Sequence, residues 1–201
     1  MTEHYEIIQN ISMVVWVVSA IRQFKSRFFH YFLILALADP ISVFVLQWTF
    51  GLYTNGFFVL VSFLLLAAVL NAVKREKMGL LLTFLSMIIL SPTLLFNITF
   101  TSFAIVVFNF AILLIFLREA VVNWYLDREF NGFIWMLVFY SITICAKFLP
   151  MVIKAGGYIE FYAITGIFQV LIGFFFTIYT ENSPAMKIKL KTHPVINTKR
   201  D

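Results

Sequence analysis

Charged side chains are scarce in this chain of 201 residues. Asp, Glu, Lys and Arg make up 12% of it, whereas hydrophobic residues make up 62%. A soluble globular domain typically carries about 25% charged and about 45–50% apolar residues. A soluble protein with the composition found here would expose wide apolar patches and aggregate. The shortage of charge therefore excludes an ordinary soluble domain and predicts a membrane protein.

Side chains that bind metals or act as nucleophiles are few as well. The single cysteine, Cys145, lies in an apolar stretch, so the chain can form neither an internal disulfide nor a cysteine zinc site. His4, His30 and His193 are scattered, and none is at helical spacing from a carboxylate. There is neither a Gly-rich phosphate loop nor a nucleophile elbow. We therefore predict a protein that is not an enzyme and uses no metal or cofactor.

Long polar segments are missing too. Seven membrane spans of about 20 residues each would fill most of the chain. We predict a seven-helix transmembrane domain over residues 1–180, followed by a basic, disordered cytoplasmic tail over residues 181–201. The net charge of +5 would suggest nucleic acid as the partner of a soluble protein. Here the loop positions of the basic residues explain that charge, and we predict no nucleic-acid partner.

Seven apolar stretches stand between the polar segments. Most are apolar on all sides over about 17–22 residues, which suits a helix that meets lipid and satisfies its own backbone hydrogen bonds. A membrane strand would need only about 9–11 residues of alternating polarity. The predicted fold class is an all-α, polytopic transmembrane helix bundle. Its helices are predicted at Tyr5–Ile21, Phe28–Trp48, Phe57–Val73, Met78–Phe96, Phe100–Leu117, Gly132–Ile153 and Tyr158–Tyr179.

The positions of the basic residues predict the orientation. If the N-terminus lies outside, every Lys and Arg except Lys147 and Lys154 falls in an inner loop or in the C-terminal tail. Such an excess on one side is what the positive-inside rule describes. We therefore predict an outer N-terminus, a cytoplasmic C-terminus and a location in the plasma or inner membrane. The inner loops and the tail contain Arg22, Lys25, Arg27, Lys74, Arg75, Lys77, Arg118, Arg128, Lys187, Lys189, Lys191, Lys199 and Arg200.

Two segments leave alternatives open. The segment 118–130 mixes charged and apolar residues, so it either extends the fifth predicted helix or lies along the inner membrane surface. The outer half of the first predicted helix is diluted by Gln9, Asn10 and Ser12. That helix is the weakest of the seven as a membrane span.

Two ionisable residues lie within predicted helices. Asp39 is near the middle of the second helix and precedes Pro40, and Lys147 is in the outer third of the sixth. Ionisable residues at membrane depth are costly and often mark functional sites. The alternatives are structural: the Asp39 carboxyl fixes helix packing, or the Lys147 side chain reaches outward to the membrane surface.

Other polar residues recur on single helical faces. Tyr140, Thr143 and Lys147 share a face of the sixth helix, and Gly166, Gln169 and Gly173 share one of the seventh. Such faces normally turn toward the bundle, where they line a cavity or form interhelical hydrogen bonds, and the glycines suggest close packing. The candidate ligand- or ion-binding residues are Asp39, Ser42, Asn109, Tyr140, Thr143, Lys147 and Gln169.

Two functions agree with these features. The first is a non-enzymatic sensor or accessory subunit that recognises an outside ligand or a membrane partner. The alternative is a small-solute or ion carrier, or a channel, with a polar cavity that includes Asp39. In both cases the partners are the lipid bilayer and either another membrane protein or a second copy of the chain.

Overall fold

A computed structural model describes residues 2–49, 54–73, 98–153 and 158–189 of the chain. These ranges contain six α-helices, one 3-10 turn and one pair of short strands, so the all-α prediction is confirmed for them. The predicted fourth helix, Met78–Phe96, lies outside the described residues, as do the basic loop 74–77 and residues 190–201. The helices are α1 (Thr2–Arg22), α2 (Phe29–Thr49), α3 (Thr54–Ala72), α4 (Ile98–Tyr125), α5 (Gly132–Val152) and α6 (Tyr158–Ile178).

The six described helices pack as a closed ring. Each helix contacts the next along the described chain, and α6 contacts α1 to close the ring. Helices α3 and α4 run in the same direction, since Val59 packs with Ile105 and Ser62 bonds to Asn109. We call the end that holds Arg22, Arg27 and Arg118 the basic end, and the end at which α1 begins the N-terminal end.

An aromatic cluster fills the interior toward the basic end. Its members are at most 3% exposed and come from five helices and the α1–α2 turn: Trp16, Phe28, Phe32, Phe116, Phe133 and Phe176. The ring of Phe176 meets Phe32 at 4.9 Å and Phe133 at 5.2 Å, both edge to face. This geometry places the positive edge of one ring on the negative face of another. The cluster is continuous, and it closes this half of the bundle in the described part of the chain.

Helices α1 and α6 approach each other at Gly173. A Cβ atom at this position would lie 2.5 Å from Val15 Cγ1, a distance that real Cβ contacts do not reach. The hydroxyl of Ser19 in α1 donates to the Gly173 carbonyl at 3.1 Å. Deeper toward the basic end, Gln23 Nε2 donates to the carbonyls of Phe176 at 3.0 Å and Tyr179 at 2.8 Å. Gly173 thus serves close packing, as its spacing suggests.

The first part of segment 118–130 extends the preceding helix, which is one of the two alternatives that the sequence left open. Helix α4 continues past the predicted end at Leu117 to Tyr125, and the chain then turns into strand β1 (Glu129–Asn131). Arg128 makes this turn with a φ of 50°. The next helix begins at Gly132 as predicted, because Asn131 Oδ1 accepts hydrogen bonds from the backbone N–H groups of Phe133 and Ile134.

The first part of the C-terminal tail, which was predicted as disordered over residues 181–201, contains secondary structure up to Lys189. A 3-10 turn at Pro184–Met186 leads into strand β2 (Lys187–Lys189), which pairs antiparallel with β1 so that Phe130 lies opposite Ile188. The tail has few large apolar residues, and its order comes from this backbone pairing. The tail beyond Lys189 lies outside the described residues.

The outer surface of the bundle is largely apolar. Large hydrophobic side chains such as Val14, Phe44, Phe110, Leu114 and Leu171 are exposed. Two described helices contain segments long and apolar enough to cross a membrane, Thr101–Tyr125 and Gly132–Pro150. Four shorter apolar segments accompany them: Ile7–Arg22, Phe29–Phe44, Gly56–Ala72 and Ala163–Ile178.

Candidate ligand-binding cavity

A cavity of about 720 Å³ lies at the centre of the helix ring, on the N-terminal side of the aromatic cluster. All six described helices contribute to its wall. Asn10, which is exposed, is part of the lining, so the cavity reaches the surface of the described structure. Cavities that bind small molecules usually measure about 300–1,000 Å³. The size and position of this one suit a small ligand.

Six of the seven candidate residues line this cavity: Asp39, Ser42, Asn109, Tyr140, Lys147 and Gln169. They come from α2, α4, α5 and α6, so residues far apart in the sequence share one wall. Thr143 is not among the lining residues. Its hydroxyl donates to the Tyr140 carbonyl at 2.7 Å, in its own helix. Spacing along a helix predicted its face but could not predict this local hydrogen bond.

Asp39 is held at the wall by α1 and by its own helix. Ser12 Oγ of α1 donates to Asp39 Oδ2 at 3.1 Å. Ser42 Oγ donates to the main-chain carbonyl of Asp39 at 2.7 Å. Pro40 lies inside α2 and has no N–H, so it leaves one backbone carbonyl of the preceding turn without its helical donor. The carboxylate therefore stands beside a weakened turn of α2, facing the cavity.

Lys147 reaches the cavity from α5. Its Nζ donates to Gln169 Oε1 of α6 at 3.4 Å, and both side chains line the cavity. Gln169 is 9% exposed. The lysine thus contributes its positive charge to the same cavity that receives the Asp39 carboxylate. Among the described lining residues, these two are the only charged ones.

Asn109 joins two helices at the cavity wall. Its Nδ2 donates to Ser62 Oγ of α3 at 3.0 Å and to the Ile105 carbonyl at 2.8 Å. All of these polar groups are buried, and buried polar groups need such partners. This hydrogen bond ties α3 to α4 where the cavity meets them.

The base of the cavity is apolar and aromatic. Trp16 and Tyr140 both line it, with ring centroids 4.8 Å apart, and Leu35, Leu65 and Ile144 surround them. Trp16 also stacks on Phe32 of the aromatic cluster. The same tryptophan is thus part of the cavity floor and of the packed core beneath it.

Several lining residues are missing from the candidates drawn from the sequence. Gln9, Asn10 and Ser12 come from α1, and Ser62 comes from α3. The signal for the first three was present, because they interrupt the apolar run of the first helix. Ser62 is an isolated serine in an otherwise apolar stretch, and such a residue is not distinctive.

The described wall combines one carboxylate and one ammonium group with amides and hydroxyls. Asp39 is the only carboxylate among the described lining residues. In the described ranges, no group of three or more His, Cys, Asp or Glu side chains lies together.

No family model matches the chain, and neither does any curated protein or solved structure with which it was compared.

Proposed function

We propose that this chain is a seven-helix integral membrane protein that binds a small polar ligand in the central cavity. In this proposal it is a non-enzymatic sensor or accessory subunit, with its N-terminus outside and its tail in the cytoplasm. The observation that supports it best is the cavity itself. One carboxylate, one ammonium and several amides and hydroxyls face a shared space inside a bundle with an apolar outer surface.

The distribution of polarity supports a membrane location. Ser62, Asn109 and Gln169 are buried, whereas leucine, valine and phenylalanine side chains are exposed around the same helices. In water this arrangement would be unfavourable, because exposed apolar area favours association. In lipid it is the expected arrangement, since polar residues are then placed against other helices.

The basic residues support the orientation. Arg22, Lys25, Arg27, Arg118 and Arg128 belong to the basic end, as do the tail lysines Lys187 and Lys189. The positive-inside rule would put this end in the cytoplasm. The cavity would then lie in the outer half of the bundle and receive ligands from outside.

The aromatic cluster favours a sensor over an open channel. A channel needs a continuous polar path, whereas here Trp16, Phe32 and Phe176 pack tightly between the cavity and the basic end. A ligand that contacts Trp16 would thereby contact a residue of the packed aromatic cluster. The second candidate is a carrier, favoured by the weakened turn of α2 at Pro40 beside the charged Asp39.

Two measurements test the proposal. In a Cys145→Ser background, Ala163→Cys places a thiol on the cavity wall and Ile188→Cys places one in the exposed tail strand. A membrane-impermeant thiol reagent should label position 163 from outside and position 188 only after the membrane is opened. Labelling of position 188 in intact cells would contradict the orientation.

Reconstitution of the purified chain in liposomes separates the sensor from the carrier. A sensor or accessory subunit should produce no solute or ion flux above that of empty liposomes. Flux that Asp39→Asn abolishes would support the carrier instead. Asp39→Asn keeps the size of the side chain and removes only its charge, so insertion and folding should be retained.

A further inference from the structure

We propose that the ligand of the cavity is a zwitterion: a small molecule that carries one ammonium and one carboxylate group together with an apolar part. This inference rests on the proposed function, and it adds the chemical class of the ligand. It depends on three features of the described cavity wall, namely its balance of charge, the polar groups beside each of its two charges, and its apolar base.

The charges of the wall balance. Asp39 contributes one negative charge and Lys147 one positive charge, and the other described lining residues are neutral. A ligand without net charge preserves this balance. A simple cation or a simple anion would add a net charge to a site largely removed from water, where uncompensated charges are costly. Charge balance alone favours a neutral molecule or a zwitterion.

The two charges act on each other across the described wall, and different polar groups accompany each of them. Asp39 stands with two serines, since Ser12 Oγ donates to its carboxylate and Ser42 Oγ to its backbone carbonyl. Lys147 stands with an amide, and because Gln169 Oε1 accepts from Lys147, the Gln169 Nε2 group is directed elsewhere and can donate. An incoming ammonium matches the first group and an incoming carboxylate matches the second. A neutral molecule can hydrogen-bond to both groups but offers neither of them an opposite charge.

The base of the cavity is apolar. Trp16, Leu65 and Ile144 line the cavity with Asp39 and Lys147. An apolar substituent of the ligand would be buried there at a gain of about 25 cal/mol per Å² of area removed from water. The cavity volume of about 720 Å³ exceeds what a molecule of amino-acid size needs, so both charged ends and a substituent fit.

A matched probe series tests this class. The full chain in lipid nanodiscs is titrated with leucine, with leucinamide, which keeps only the positive charge, and with 4-methylpentanoate, which keeps only the negative one. Glycine and phenylalanine, each with its own amide and deaminated acid, vary the apolar part. We expect at least one zwitterion to bind at least about tenfold tighter than both of its singly charged analogues, a difference of about 1.4 kcal/mol.

Each of two variants should shift the binding preference from the zwitterion to a different singly charged probe. Asp39→Asn leaves the wall with net positive charge and should favour the deaminated acid over the zwitterion. Lys147→Gln leaves net negative charge and should favour the amide. Thr177→Ala, in α6 but outside the lining, should bind like the unmodified chain. A variant that only disturbed packing would weaken all three probes together and would not reverse their order.

The outcomes separate this inference from the function on which it rests. Tighter binding of an amide or a deaminated acid to the unmodified chain overturns the zwitterion and leaves the binding function standing. Absence of binding by every zwitterion also overturns the inference, while labelling of Ala163→Cys from outside decides separately whether the cavity is accessible. The series on the unmodified chain is decisive even if a variant fails to fold.

Discussion

Arg27 Nη1 lies 2.9 Å from Glu119 Oε1 and joins the α1–α2 turn to the last part of α4. The same guanidinium donates through Nε to Glu181, at the start of the tail, and stacks 4.7 Å from the centre of the Phe28 ring. Ser26 Oγ adds a hydrogen bond to Glu181 at 3.2 Å. One arginine thus connects three segments that are far apart in the sequence, all at the basic end.

Arg27→Gln should lower stability modestly. The arginine side chain is 37% exposed, so each of its ion pairs is screened by water and contributes at most about 1 kcal/mol. We expect a loss of about 1 kcal/mol in the free energy of unfolding, and a smaller loss at high salt because salt screens such pairs. Thermal unfolding in detergent at two salt concentrations measures both effects.

Lys25→Gln is the matched control for Arg27. Lys25 lies two positions away in the same turn, is exposed, and forms no ion pair with the described residues. Its replacement should leave the unfolding temperature unchanged. Equal losses for the two variants would show that the effect is one of overall charge and that the three-way contact adds nothing.

Gly173→Ala should disrupt the contact between α1 and α6. The added methyl group would overlap Val15 Cγ1, and overpacking of this kind typically costs about 1–3 kcal/mol. Val15→Ala should restore part of the lost stability, because it removes the Cγ1 methyl group with which the new Cβ would collide. Unfolding of the two single variants and the double variant gives the coupling between the two positions.

Gly166→Ala provides the comparison in the same helix. A Cβ at this position would meet nothing closer than Ile8 Cγ2 at 3.9 Å, which is an ordinary contact. We expect no loss of stability from this change. If Gly166→Ala and Gly173→Ala destabilise the chain equally, the cause is the loss of glycine in general and not the close approach at position 173.

Asn131→Ala should weaken the start of α5. The asparagine side chain accepts hydrogen bonds from the first turn of that helix, and loss of such a cap typically costs about 1 kcal/mol. Asn131→Asp retains an acceptor at the same distance along the side chain and should keep most of the stability. Chemical unfolding followed by circular dichroism compares them, and an aspartate as damaging as the alanine would refute the capping role.

The hydrogen bond between Asn109 and Ser62 should couple α3 to α4. Asn109→Ala removes the amide donor and leaves the buried Ser62 hydroxyl without this hydrogen bond. Such a change costs about 1–3 kcal/mol in the free energy of unfolding. Ser62→Ala removes the acceptor. In a double-variant cycle the combined loss should be smaller than the sum of the two single losses. Purely additive losses would mean that the two residues act independently.

The sequence predicted the described helices well because each is marked by a long apolar run. It could not predict features that depend on distant residues. An extension of the fifth predicted helix into residues 118–130 was one of two alternatives, and the helix continues to Tyr125, with Glu119 bonded to Arg27 of the α1–α2 turn. Strand β2 was predicted as disordered tail because its partner strand is more than fifty positions away and cannot be inferred from composition.

In the candidate site, too, some residues could be predicted from the sequence and some contacts could not. Asp39, Lys147 and Gln169 were predicted because polar groups are rare in such helices, and the structure brings them to one cavity. Thr143 follows the same spacing but bonds within its own helix. Ser12 was identified only as an interruption of the first apolar run, although its hydroxyl donates to the Asp39 carboxylate. Spacing identifies a face of a helix, whereas the partner across the interface is a property of the assembled bundle.

Asn131 belongs to two structural elements. It ends strand β1, where it pairs with Lys187, and it caps α5, the helix that contains Lys147. A force on strand β2 would therefore also act on the first turn of α5. Motion of that helix along its axis would carry the ammonium group with it. The tail would then be coupled mechanically to the cavity through α5.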